Sequence, residues 1–240
     1  KAARKWAYMR KGVSPGEAEI ITAQGDFHGR TTSIGGFSSD VHHQSGFASV
    51  PFGDVEALEA AITEQTAAFL VEPIQAERGI IMPPQGYFER VRRLCTERNV
   101  LLCLDEIQTG LGRTGRMFAY EHYGIRPDCL TVGKALGGGV FPVSAFLASR
   151  DVMEVFEPGD HGSTFGGNPL GAAVASASLD VVVDEGLAER AEELGTWLME
   201  QLRELNSSHV VEVRGAGLLI GLQIHPDSGP ARSFCEALLE

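Results

Sequence analysis

Residues 100–104 read VLLCL, apolar throughout, and stop at two carboxylates, Asp105 and Glu106. A second short run, CLTV at 129–132, leads straight to Gly133, Lys134 and a glycine-rich stretch. Continuous apolar runs of this length suit strands buried on both faces, as in a parallel sheet covered by helices. Ligands bind at the carboxyl ends of strands in open α/β sheets, so an acid and an amine at two such ends predict a site.

The flanking pattern agrees. Residues 1–11 read as a helix ended by Gly12, and 19–23 as a short strand followed by the loop GDFHGRTTS. Asp54 caps a helix with Val55, Leu58 and Ile62 on one face, and 67–71 is a strand ending at Glu72 and Pro73. Phe88, Val91, Leu94 and Cys95 mark the next helix, with Asn99 as its C-terminal cap, and this helix feeds the strand at 100. Strand, helix, strand at this spacing predicts a right-handed parallel unit. Residues 143–148 supply one more apolar strand.

Asn168 and Pro169 form a cap and first position for a helix whose small-residue run suits close packing. A second helix from Leu187 carries Ala191, Leu194, Leu198, Leu202 and Leu205 as its apolar stripe. Strands at 210–213 and 218–224 and a last amphipathic helix complete a smaller α+β unit. The expected division is a large α/β domain over 1–185 and a connecting helix with the start of a small domain over 186–240. The first helix has no start and the last no cap, so the chain reads as cut at both ends.

A net charge of −12 argues against nucleic acid or an anionic membrane as partner, and no apolar run is long enough to span a bilayer. Cys95, Cys103, Cys129 and Cys235 are far apart and mostly inside apolar runs, the pattern of reduced, packed thiols. A reducing compartment is expected, cytoplasm or an organelle matrix such as that of mitochondria. Neither paired cysteines nor HExxH spacing points to a metal.

Lys134, at the end of a buried strand, would be partly desolvated, which frees the neutral amine needed to form a Schiff base; it also reads as a surface lysine in a glycine-rich turn. Asp105 either pairs with a cation such as a protonated pyridine nitrogen or caps a helix or pairs with an arginine. GLGRTG at 110–115 has dinucleotide-loop spacing but does not directly follow the strand and lacks the downstream acid. Phe27, His28, Gly29 and Arg30 can stack on a flat ring and clamp a carboxylate, or form a loop around a core phenylalanine. HGSTFGGNP at 161–169 offers hydroxyls and glycine amides to a phosphate.

Taken in order, VEPIQAERG, LDEIQTGLGRTGR, GKALGGGVFPVSA, GDHGSTFGGNPLG and VRGAGLL strongly resemble the motifs of the class III, subgroup II pyridoxal-phosphate aminotransferases. The resemblance covers nearly the whole chain. It implies the fold type I of pyridoxal-phosphate transferases, a mostly parallel sheet between helices. It implies Lys134 as the lysine that bonds to the cofactor and carries a proton, and Asp105 as partner of the ring nitrogen. Phe27 would stack on the ring, Gln108 would contact its phenolic oxygen, and Glu72 would lie close by. Thr164 would reach the phosphate in the partner subunit, implying a homodimer. Arg30 and Glu77 would meet the substrate.

The reaction implied moves the δ-amino group of ornithine to 2-oxoglutarate, with acetylornithine and 4-aminobutyrate as other family donors. A catalytically inactive α/β scaffold is the reading from another class. The family's main phosphate loop and a substrate tyrosine would precede residue 1, and an arginine matched to Glu77 would follow residue 240. The segment around 40–47 reads several residues short. Such a piece is expected to bind the cofactor poorly.

Overall fold

The computed structural model describes residues 1–31 and 46–239. The expected shortening around 40–47 lies mostly outside them.

Helix α1 (Ala2–Trp6) widens into π-type turns over Ala7–Lys11, and Gly12 ends it with φ 85°. Strand β1 (Glu19–Ala23) and strand β2 (Phe47–Val50) follow. Helix α2 (Val55–Ala61) is capped by Asp54, whose carboxylate accepts from Ala57 N at 2.8 Å. Then come β3 (Thr66–Val71), α3 (Tyr87–Glu97) and β4 (Leu101–Asp105). Asn99, at φ 51°, takes the left-handed turn that releases α3 into β4. Strands β5 (Cys129–Val132) and β6 (Ala145–Ala148) complete the sheet, in the order β2-β1-β3-β4-β5-β6.

All pairings are parallel except β5 with β6. The link at 133–144 explains the exception: it holds only the single 3-10 turn Lys134–Gly137, and a parallel crossover needs room for a helix. The two apolar runs behave as their composition requires. Leu102 and Leu104 of β4 face one core with Phe69, Val91 and Leu130, while Leu101 and Cys103 face the other with Trp6, Ala68 and Cys129. Helices α2 and α3 cover the first face and α1 the second. β6 departs from expectation: it begins at Ala145, and Phe146 and Leu147 are exposed because it is the edge strand.

Past the short helix α4 (Arg150–Met153), helix α5 (Pro169–Asp184) starts as predicted, with the Asn168 side chain accepting from Gly171 N at 2.8 Å. Asn168→Ala is expected to cost about 1 kcal/mol in urea unfolding, and an unchanged midpoint would contradict the cap. The close packing expected of its small residues is not met within one chain, where only Gly171 of this helix is buried.

Helix α6 (Leu187–Glu204) corrects a second expectation. Its buried residues are Ala191, Gly195 and Met199, and Leu194 and Leu198 are exposed. The reason is the hairpin of β7 (Val210–Ala216) and β8 (Leu219–Ile224), whose turn comes so close to α6 that only a glycine fits at 195. A Cβ on Gly195 would stand 1.8 Å from the carbonyl oxygen of Gly217. Arg214 of β7 clamps the hairpin to the turn after Glu77, donating to Gly79 O at 2.7 Å and Ile80 O at 3.0 Å. Helix α7 (Ala231–Ala237) ends the described chain. Among the cysteines, Cys95, Cys103 and Cys129 are free and buried, as expected of packed thiols, whereas Cys235 is exposed.

Candidate active site

The carboxyl ends of β1, β3, β4 and β5 meet on one edge of the sheet. β4 ends on Asp105, in register with Thr131 of β5, and Lys134 follows Val132 and Gly133. The acid and the amine therefore leave neighbouring strands on the same side. Asp105 Oδ1 accepts from Ile107 N and from Thr131 Oγ1, both at 3.1 Å, and Oδ2 takes His28 Nδ1–H at 2.8 Å. A carboxylate offers about four lone-pair positions, so three are filled and one stays available. Asp105 is 7% exposed, still reachable from outside.

Behind it lies a buried network that the sequence did not show. His28 Nε2 is 3.5 Å from Asp26 Oδ2, within ion-pair range though without a hydrogen bond. Asp26 in turn accepts from Gln75 Nε2 at 2.8 Å and Glu72 N at 3.2 Å. Glu72 Oε2 accepts from Phe27 N at 2.8 Å. Burial pulls the His28 imidazole down, but its hydrogen bond to Asp105 and the charge of Asp26 outweigh it and raise its pKa to about 9. Burial pushes the Glu72 carboxyl up to about 7, against the hydrogen bond from Phe27. The neighbouring Glu106 also rises through burial, and its bonds to Thr109 Oγ1, Ala119 N and Tyr120 N fasten the loop behind β4.

A sign for the pH dependence of folding follows. Glu72 and His28 hold protons more tightly when folded than their ordinary values of 4.5 and 6.5. The folded chain thus carries more protons, and its stability falls as pH rises, first through Glu72 up to about 7 and then through His28 up to about 9. Urea midpoints of the cofactor-free chain should fall across this range; a midpoint that climbs from pH 6.5 to 9 would contradict it.

The other candidates group unevenly. Gln108 Nε2 comes 3.5 Å from Glu77 Oε1, so the half-buried Gln108 meets the exposed Glu77 at the rim. Phe27 is half-buried, and the exposed Arg30 guanidinium lies 5.6 Å from its ring centroid. Thr164 is exposed in the loop 161–167, with no side-chain hydrogen bond to this cluster among the described residues. Lys134 is a correction: the expected desolvation is absent in a single chain, where the residue is exposed. Its φ of 43° marks a strained backbone, held by the buried residues Gly133 and Leu136 on either side. GLGRTG opens no helix; Gly112 and Gly115 take positive φ in a loop that packs on α6 and the hairpin.

Missed in the sequence were the roles of Asp26, His28, Gln75 and Thr131. A histidine two residues past an acid in a loop gives no local signal, because its partner Asp105 is 77 positions away.

Residues 1–240 match the aminotransferase class-III family, and the chain belongs to it. Among curated relatives, ornithine aminotransferase of Bordetella pertussis is 54% identical, covering 100% of this chain and 60% of its own length. That of Brevibacillus brevis is 51% identical with 100% and 61% covered. The chain thus spans about 60% of the length of these relatives. The ornithine aminotransferase structure from Toxoplasma gondii superposes with a TM-score of 0.89 at 44% identity, covering 95% of this chain and 57% of that one. An acetylornithine aminotransferase structure from Elizabethkingia anophelis gives 0.87 at 44%, covering 99% and 59%.

Proposed function

We propose that the protein carrying this chain transfers the δ-amino group of ornithine to 2-oxoglutarate with pyridoxal phosphate, giving glutamate and glutamate semialdehyde, which cyclises. The observation that carries the chemistry is the pair Asp105 and Lys134 at neighbouring strand ends, with one acceptor position of Asp105 open toward a cationic N–H. The donor set fits the cofactor. The relatives named for ornithine support the choice of amino donor.

When bound, pyridoxal phosphate supplies an aldehyde that captures amino groups and a ring that draws electrons from the substrate carbon. Asp105 holds a proton at the ring nitrogen, which deepens that pull. Lys134 Nζ moves the proton to and from the substrate carbon. Phe27 packs on the ring face and Gln108 donates to its phenolic oxygen. Glu72 lies behind, bonded to the Phe27 amide. Arg30 binds a substrate carboxylate, and Glu77 sits where donor and acceptor must both be admitted. Thr164 serves the phosphate of a partner subunit, so the assembly is a homodimer.

We also infer a large cofactor domain over 1–185, with 186–240 opening a smaller one, and a reducing, cytoplasmic setting. The free cysteines support that setting, and no helix among the described residues is long and apolar enough to cross a membrane.

The acetylornithine aminotransferase neighbour supports a second reading of the donor. Assaying ornithine, acetylornithine and 4-aminobutyrate against 2-oxoglutarate separates the two: ornithine should lead in kcat/KM by about tenfold or more. A lead for acetylornithine would favour the second reading, and turnover of none of them would favour the inactive scaffold.

A further inference from the structure

We propose that His28 is the positioning residue of Asp105: wedged between the carboxylates of Asp26 and Asp105, its ring holds the Asp105 carboxylate aimed at the ring nitrogen of the cofactor. The inference rests on the pyridoxal-phosphate reading above.

The geometry is that of a built relay. The His28 side chain is 2% exposed, with Nδ1 at 2.8 Å from Asp105 Oδ2 and Nε2 at 3.5 Å from Asp26 Oδ2. Asp26 is fixed by the Gln75 side-chain amide and the Glu72 backbone, and Asp105 by Thr131 and Ile107. The ring therefore cannot turn without breaking its bond to Asp105. The titratable groups around it are Asp26 beyond β1, Glu72 beyond β3 and Asp105 of β4. Asp26 and Asp105 face one imidazolium and leave one negative charge between them, while Glu72, its carboxyl pushed up to about 7 by burial, adds charge only as pH passes through neutrality. That charge lies beside the open acceptor position of Asp105, where a cationic N–H is wanted. A neutral histidine would leave the two carboxylates buried together with no cation between them to hold Asp105 in place.

Two measurements on the full-length protein that carries this chain test this. In the cofactor-free protein, histidine-labelled NMR should show the His28 ring protonated at both nitrogens at pH 8. Asp26→Asn and Asp105→Asn should each lower its titration. With cofactor added, the dissociation constant should rise about 10- to 100-fold in His28→Leu, which removes the donor to a charged group. His28→Gln, which keeps a donor, should fall between that variant and the native protein. Circular dichroism confirms that the variants fold. A native His28 that titrates near 6.5 overturns the inference even where the cofactor binds. Equal cofactor affinity in His28→Leu and the native protein also overturns it. Failure of the native protein to bind the cofactor defeats the functional reading itself, and the positioning role with it.

Discussion

Lys134→Ala should lower amino-transfer turnover by about 10⁴-fold or more and leave no cofactor bound to protein after borohydride treatment. The effect belongs to chemistry and not to folding. Lys134 is exposed, and its left-handed φ of 43° strains alanine no more than lysine. The urea midpoint should hardly move. A variant keeping a tenth of native turnover would show that another group carries the proton.

The largest structural effect is expected at Gly195. An added Cβ would meet the Gly217 carbonyl at 1.8 Å for oxygen and 2.3 Å for carbon, backbone atoms that cannot swing aside. Nor can the hairpin retreat, because a Cβ position on Gly217 already lies 2.5 Å from Gly115 N and from Thr114 C. Three backbone segments touch there with no side chain between them. Gly195→Ala should therefore cost about 3 kcal/mol or more in urea unfolding, in the range of severe overpacking. Gly162→Ala is the control: nothing lies within 4 Å of its added Cβ and its φ is ordinary, so the midpoint should stay. Equal midpoints for the two variants would show that α6 and the hairpin separate freely.

What could be read from the sequence depended on how local the cause was. The strand at Leu101–Asp105, the Asp54 and Asn168 caps and the Gly12 stop are set by neighbours within a few residues, and each was legible. The stripe of α6 was right at Ala191 and misread after it, because period alone favours Leu194 and Leu198, while the hairpin selects Gly195 and Met199. Only the approach of Gly217, far along the chain, decides between them. At the site, Asp105 and Lys134 were visible as polar ends of apolar runs. His28 was not, since its meaning lies in Asp26 and Asp105, which only the sheet order β1-β3-β4 brings together.

The clamp of Arg214 on the carbonyls of Gly79 and Ile80 makes the β7–β8 hairpin a lever on the turn that carries Glu77. The two ends of this link are 135 positions apart in sequence, and the Arg214 guanidinium joins them by donating to backbone oxygens. Glu77 is exposed and leans on Gln108 at 3.5 Å, so its setting depends on where that turn is held. If Glu77 meets the substrate as proposed, strain applied to the hairpin would reach that rim without crossing the sheet. On the proposed function, selectivity among amino donors would then be a property that residues far from any substrate can tune.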